Sequence, residues 1–205
     1  YHLALVGDNT HVSGATTFLN TGSLTLGNAA SDNLAFDGGL VAAAPSGLSL
    51  GGTVGTTNTA MTLGDNNTAL VLNNHLTLNT GNGGLTLDGA VSGAHNLNLN
   101  SAGLTSIVRA LDVASVTTDA PGSVLLQGGL ITTTGAQSYG DAATLGTNTT
   151  LTSTSAGNIR FSDILNGAYT LAINTTGDTV FGGAVGNSAA LVSLNTNAGG
   201  TVAIN

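Results

Sequence analysis

GLTLDGAVSGAHNLNLN, residues 84–100, is the stretch whose reading decides the fold. Its apolar residues come two apart in short bursts, Leu85 with Leu87 and Leu97 with Leu99, separated by mostly small and polar residues. Alternation with a period of two marks a strand that buries one face, and Gly, Asp, Asn and Ser make the turns between strands. The phrase returns as NIRFSDILNGAYTLAIN, from Asn158 to Asn174. Leu85, Leu87, Gly93, Leu97, Leu99 and Asn100 then meet Ile159, Phe161, Gly167, Leu171, Ile173 and Asn174.

Working outward, the same pattern fills the chain. LTL (24–26), LSL (48–50), LVL (70–72), LTL (76–78) and LAI (171–173) each read as a short strand. A second signal runs alongside: AAAPSGLSLGG (42–52) and TDAPGSVLLQGG (118–129) hold the only two prolines, and NTNAGGTVAIN (195–205) repeats the phrase with Gly199 in place of proline. The first residues, YHLALVGDNTHVSGA, echo YTLAINTTGDTVFGGA from Tyr169. Self-similarity at such a spacing signals a repeat architecture. The chain reads as one domain, 1–205, with a partial copy at 1–52 and full copies at 53–128 and 129–205. The first copy carries extra residues around 16–43.

No apolar stripe recurs at helical spacing, and 31 glycines are too many for helices. Strands this short, with only 3% aromatic residues to fill a sandwich, suit a narrow column of stacked coils. The expected fold is all-β, a right-handed parallel β-helix (β-solenoid). Each 77-residue copy would make about three coils of roughly 25 residues, giving about eight coils and a rod of about 40 Å. Asn and Thr at recurring turns would form hydrogen-bonded ladders along it.

Composition narrows function mostly by exclusion. Charged residues make up 6% of the 205, against about a quarter in ordinary soluble domains. All ten acidic residues are Asp, the two basic ones are Arg109 and Arg160, and the net charge is −8. Nothing here neutralises a run of phosphates, so nucleic acid is not an expected partner, nor is an anionic membrane surface. The absence of Cys removes disulfides and thiolate metal sites. No apolar run reaches the roughly 20 residues of a membrane span, and no signal-peptide pattern is visible. An export signal would lie outside this segment.

The runs GLITTTGAQSYGDAATLGTNTTLTS (129–153) and VFGGAVGNSAALVSLNTNAGGTVAIN (180–205) resemble the repeat region of giant bacterial β-helical exoproteins and adhesins of the filamentous haemagglutinin-like kind. The likeness covers the two full copies and extends loosely over the first. It implies a right-handed β-helix, passage across the outer membrane, and a place in a stalk or adhesive fibre at the cell surface or outside it. It brings no catalytic residues to this chain.

Each candidate site has a turn reading beside it. A β-helical lyase or glycosidase needs clustered carboxylates, often with a cation to steady developing charge. Asp32 with Asp37 and Asp112 with Asp119 are the nearest pairs, and both sit beside turn residues; Arg109 and Arg160 stand at different phases of their copies. Gly-Asp recurs at 7/8, 64/65, 140/141 and 177/178. Such corners suggest calcium, but the nonapeptide phrase of calcium-binding rolls is missing, and an Asp capping its own turn is the simpler account. His2, His11, His75 and His95 form no i, i+2 pair on one strand, so no metal site is expected. GNGG (81–84) lacks the Lys-Ser/Thr of a phosphate loop. Asn66, Asn148 and Asn174 begin Asn-x-Thr triplets, accidental in a bacterial protein. The threonine runs 132–134 and 147–155 raise an ice- or glycan-binding alternative, though the copies do not keep one Thr phase.

These readings converge on a structural or adhesive segment of a long secreted fibre. No catalytic, cofactor-binding or metal residues and no cofactor are assigned. The expected partners are neighbouring copies stacked end to end, or a glycan or protein on a host or other surface.

Overall fold

The computed structural model describes residues 1–197 and 199–204. Every regular element among them is a β-strand, and every recorded strand pairing is parallel. One column of partners sets the architecture: Leu3, Leu24, Leu48, Leu70, Val91, Leu111, Ile131, Leu151, Ile173 and Thr196, each aligned with the next. The chain is therefore a β-solenoid of ten stacked coils. The coil from Val91 to Leu111 is among the shortest, and the one from Leu24 to Leu48 is the longest.

Each coil has three faces. The first carries the column just named. The second stacks Leu34, Val54, Leu78, Leu99, Thr118, Tyr139, Phe161 and Phe181. The third stacks Leu40, Met61, Leu85, Thr105, Val124, Ala143 and Leu165. First and second faces share one 16-stranded sheet because the strands Gly47–Gly55, Ala69–Gly81, Ala90–Ser101 and Leu111–Thr118 turn the corner without a break. Register slips where they bend, between Leu50 and Gly52 and between Gly93 and Asn96. At the first bend Gly52 has φ +72°, and a β-carbon there would strike the backbone of Asp32 and Ala29. Only glycine meets both demands. The third face is a separate eight-stranded sheet.

The alternating bursts fold as expected. In LTL (24–26), LSL (48–50), LTL (85–87) and LNL (97–99) both leucines are buried and the middle residue points outward. Each buried leucine contributes about 1.5–3 kcal/mol. Stacking them coil on coil makes one continuous core.

The coil is shorter than expected, so ten coils stack where eight were expected, in a rod of roughly 45 Å at about 4.8 Å per coil. The cause lies in what the sequence repeat matches. Leu85 stands on the third face, but its counterpart Ile159 stands on the second; Leu97 is on the second and Leu171 on the first. The offset between the two phrases thus runs three whole coils and two further faces. Any face accepts the same apolar-polar-apolar phrase, so similarity between strands carries no information about which face they occupy. The proline phrase behaves alike, leading into the first face at Gly47, the third at Ser123 and, with Gly199, the second at Val202. Two residues of that last copy, Ala198 and Asn205, lie outside the described residues. The extra residues of 16–43 are taken up in the first two coils, with Leu24–Leu26, Asn33–Phe36 and Leu40–Ala42 serving the three faces of the second.

Candidate functional site

The residues singled out by sequence mostly resolve into turn chemistry. Asp32 Oδ2 accepts the N–H groups of Asn28 (2.7 Å) and Ala29 (3.1 Å), which hold its pKa below the usual carboxylate value. Asp37 is held low by His11, whose Nε2 lies 2.7 Å from Oδ2, and by the Thr57 hydroxyl at 2.7 Å. The two aspartates serve different turns rather than a shared site. Asp112 points outward on the first face, whereas Asp119 follows the end of the second-face segment of the same strand. Arg109 approaches Asp88 (3.5 Å), and Arg160 donates to Ser162 Oγ (3.0 Å) from the second face.

The four Gly-Asp corners divide three to one. Asp8 accepts Ser31 Oγ at 3.4 Å; Asp65 Oδ1 accepts the Thr68 hydroxyl (2.7 Å) and the Asn67 N–H (2.9 Å), which lower its pKa; Asp178 Oδ1 accepts the Thr201 hydroxyl (2.6 Å). Asp141 stands apart. It is 1% exposed, and neither carboxylate oxygen has a hydrogen-bond partner. It sits where the second face turns into the third, one coil after Asp119 and one before Asp163. Burial raises its pKa to about 6; the nearby Thr118 hydroxyl, though outside hydrogen-bond geometry, pulls it down in part, and the charges of Asp119 and Asp163 push it up.

Sequence reasoning missed this column and also a histidine pair. His75 and His95 meet edge to face between successive coils, ring centres 5.4 Å apart, and the Asn96 N–H donates to His75 Nδ1 (3.0 Å). The two stand one coil apart in the chain, so the coil length was the signal needed to pair them. Among the described residues no three His, Cys, Asp or Glu side chains are grouped to hold a metal ion.

The threonine runs split between inside and outside. Thr132 and Thr152 pair outward on the first face, while Thr133, Thr149 and Ser153 are buried. The column that keeps a short hydroxyl or amide side chain at one outward position lies on the second face. It runs through Asn33, Thr53, Thr77, Asn98, Thr117 and Ser138 in six successive coils. Asn98 Nδ2 donates to Thr77 Oγ1 at 3.4 Å along it.

No protein-family model, curated protein or solved structure matches the chain.

Proposed function

We propose that the chain is a non-catalytic structural or adhesive segment of a long secreted bacterial surface fibre, a right-handed solenoid that lengthens by stacking further coils. The observation that carries this reading is the repetition of one interface: the coils meet through the same parallel ladders, ten strands long on the first face and eight on the third, around one apolar core. Adding a coil repeats that contact and requires no new chemistry. Right-handedness is supported by the strong preference of parallel crossover connections for that hand. Neighbouring copies stacked coil on coil are the partners this reading names, since a further coil would continue the same parallel ladders. Stacking of that kind is head-to-tail and forms filaments instead of closed dimers.

Sedimentation across a concentration series, with electron microscopy of the same samples, tests this. Thin rods that are multiples of the single-chain length, growing with concentration, are expected. Strictly monomeric particles with protected terminal strands at high concentration would overturn the stacking.

The polar column of the second face favours one second reading, a glycan-binding surface, since short hydroxyl and amide groups in register match the spaced hydroxyls of an extended polysaccharide. Glycan-array binding abolished by Thr77→Val with Thr117→Val would establish it.

A further inference from the structure

We propose that the corner formed by Asp119, Asp141 and Asp163 is a proton-binding site, which tightens the rod when it takes up one proton and loosens the corner when it releases it. The geometry distinguishes the three carboxylates. Asp119 Oδ1 accepts the Ser101 N–H (2.9 Å) and Asp163 Oδ1 accepts the Ile164 N–H (2.7 Å), so each can carry its charge against a donor. Asp141, between them and 1% exposed, has no partner at either oxygen. What surrounds it is acceptor-rich. The carbonyl oxygens of Ser101 and Gly103 and Asp141 Oδ1 all crowd the Cβ position of Gly122. Thr118 Oγ1 accepts the N–H groups of Gly140 (3.1 Å) and Asp141 (3.4 Å), and its O–H, outside hydrogen-bond geometry to either carboxylate oxygen, is the one donor that opposes this.

The charged groups acting on Asp141 come from the coil on either side, Asp119 from the turn after Leu111–Thr118 and Asp163 from the turn after Ile159–Phe161, and both are negative. The Arg109 contact with Asp88 and the His11 hydrogen bond with Asp37 lie elsewhere. A proton on Asp141 removes the middle charge of the three and supplies an O–H donor where the neighbours are acceptors. No three-ligand group suited to a metal stands here among the described residues, and a proton needs only the one carboxylate.

Burial first, then the two flanking charges, raise the pKa of Asp141 from 3.8 to about 6, with Thr118 opposing. The native chain therefore binds this proton roughly a hundredfold more tightly than the unfolded chain does. The sign follows directly. Between about pH 4 and 6 the folded state keeps a proton that the unfolded state has lost, so stability falls as pH rises through this window, then levels off. Asp32, Asp37 and Asp65 have lowered pKa values, and their stability is lost only in more acidic solution, as pH falls below the ordinary carboxylate value.

The test follows the carbon-13 resonance of the Asp141 carboxyl by NMR from about pH 4 to 8, with thermal unfolding in the same chelator-containing buffers. A midpoint near 6 and an unfolding temperature that drops between pH 4.5 and 6.5 are expected. Asp141→Asn should unfold at a higher temperature than the native chain at pH 7.5 and lose the slope; Asp163→Asn should keep a slope but move the midpoint down. An Asp141 that titrates near 4 would overturn the proposal. So would calcium restoring, at pH 7.5, the stability seen in acid, since the corner would then be a cation site.

Discussion

The two halves of the solenoid fill the same interior in different ways. Through the early coils the second face presents Leu34, Val54, Leu78 and Leu99, and the facing end of the first-face strands presents Leu26, Leu50 and Leu72. Beyond residue 118 the second face grows to Tyr139, Phe161 and Phe181, while the first-face position shrinks to Thr133 and Ser153. Ring stacking replaces aliphatic stacking: Tyr139 and Phe161 lie 4.8 Å apart at 15°, Phe161 and Phe181 5.7 Å apart at 2°. The hydroxyl residues at that first-face position bring polar atoms inside, where Thr133 Oγ1 accepts from Gln137 Nε2 (3.3 Å). Aliphatic columns pack without direction, so their coils are interchangeable; the ring-and-hydroxyl half depends on particular partners.

The largest difference should come from truncating one residue in each half. Phe161 is packed between two rings and fully buried, so Phe161→Ala should cost about 4 kcal/mol and loosen the coils on both sides. Leu78→Ala removes less surface and is flanked by Val54 and Leu99, which can settle toward the gap, so about 3 kcal/mol is expected. Denaturant unfolding of the two variants measures both. Equal losses would show that the rings act only as bulk.

A smaller effect isolates the polar part. In the column Leu76, Leu97, Val116, Gln137, Ile159, Thr179, Gln137 is a buried amide where the earlier coils are apolar. Its Nε2 donates to Ile131 O (3.2 Å), Thr133 Oγ1 (3.3 Å) and Thr152 O (3.0 Å), while Oε1 accepts the Tyr139 hydroxyl (3.0 Å). Gln137→Leu restores the apolar pattern of the early coils yet strands the Tyr139 hydroxyl and the carbonyls, for a loss of about 2 kcal/mol. If the variant is as stable as the parent, the network contributes nothing beyond filling space.

The same contrast explains what was legible in the sequence. Strands such as LSL (48–50) declare themselves because alternation alone decides which residues face the core. Turn aspartates such as Asp65 declare themselves too, since their partners Asn67 and Thr68 are close neighbours in the chain. Coil length does not, because a phrase that fits every face, like the one shared by Leu85 and Ile159, carries no phase. Without the coil length, nothing joins His75 to His95 or Asp119 to Asp141 and Asp163. Gly140-Asp141 reads like Gly64-Asp65 in the chain; its burial comes from the coils stacked on either side, and so do the charges that flank it.

The smallest change tests whether the polar half works as a network. Tyr139→Phe keeps the ring, its contact with Phe161 and nearly all of its volume, and removes one hydroxyl. That hydroxyl is fully buried, its pKa raised by burial, so it remains a neutral donor to Gln137 Oε1. Losing it leaves the amide oxygen without this donor while the three contacts of Nε2 stay in place, so the cost should be about 1 kcal/mol. Coupling should then show in the double variant. If Tyr139 and Gln137 act together, Tyr139→Phe with Gln137→Leu should cost less than the two single changes added, because each single change strands a partner that the double change removes. Unfolding free energies of the four chains close that cycle. Strict additivity would mean that the hydroxyl and the amide sit side by side without supporting one another, and that this column is held in the late coils, as at Leu76 and Leu97 in the early ones, by packing alone.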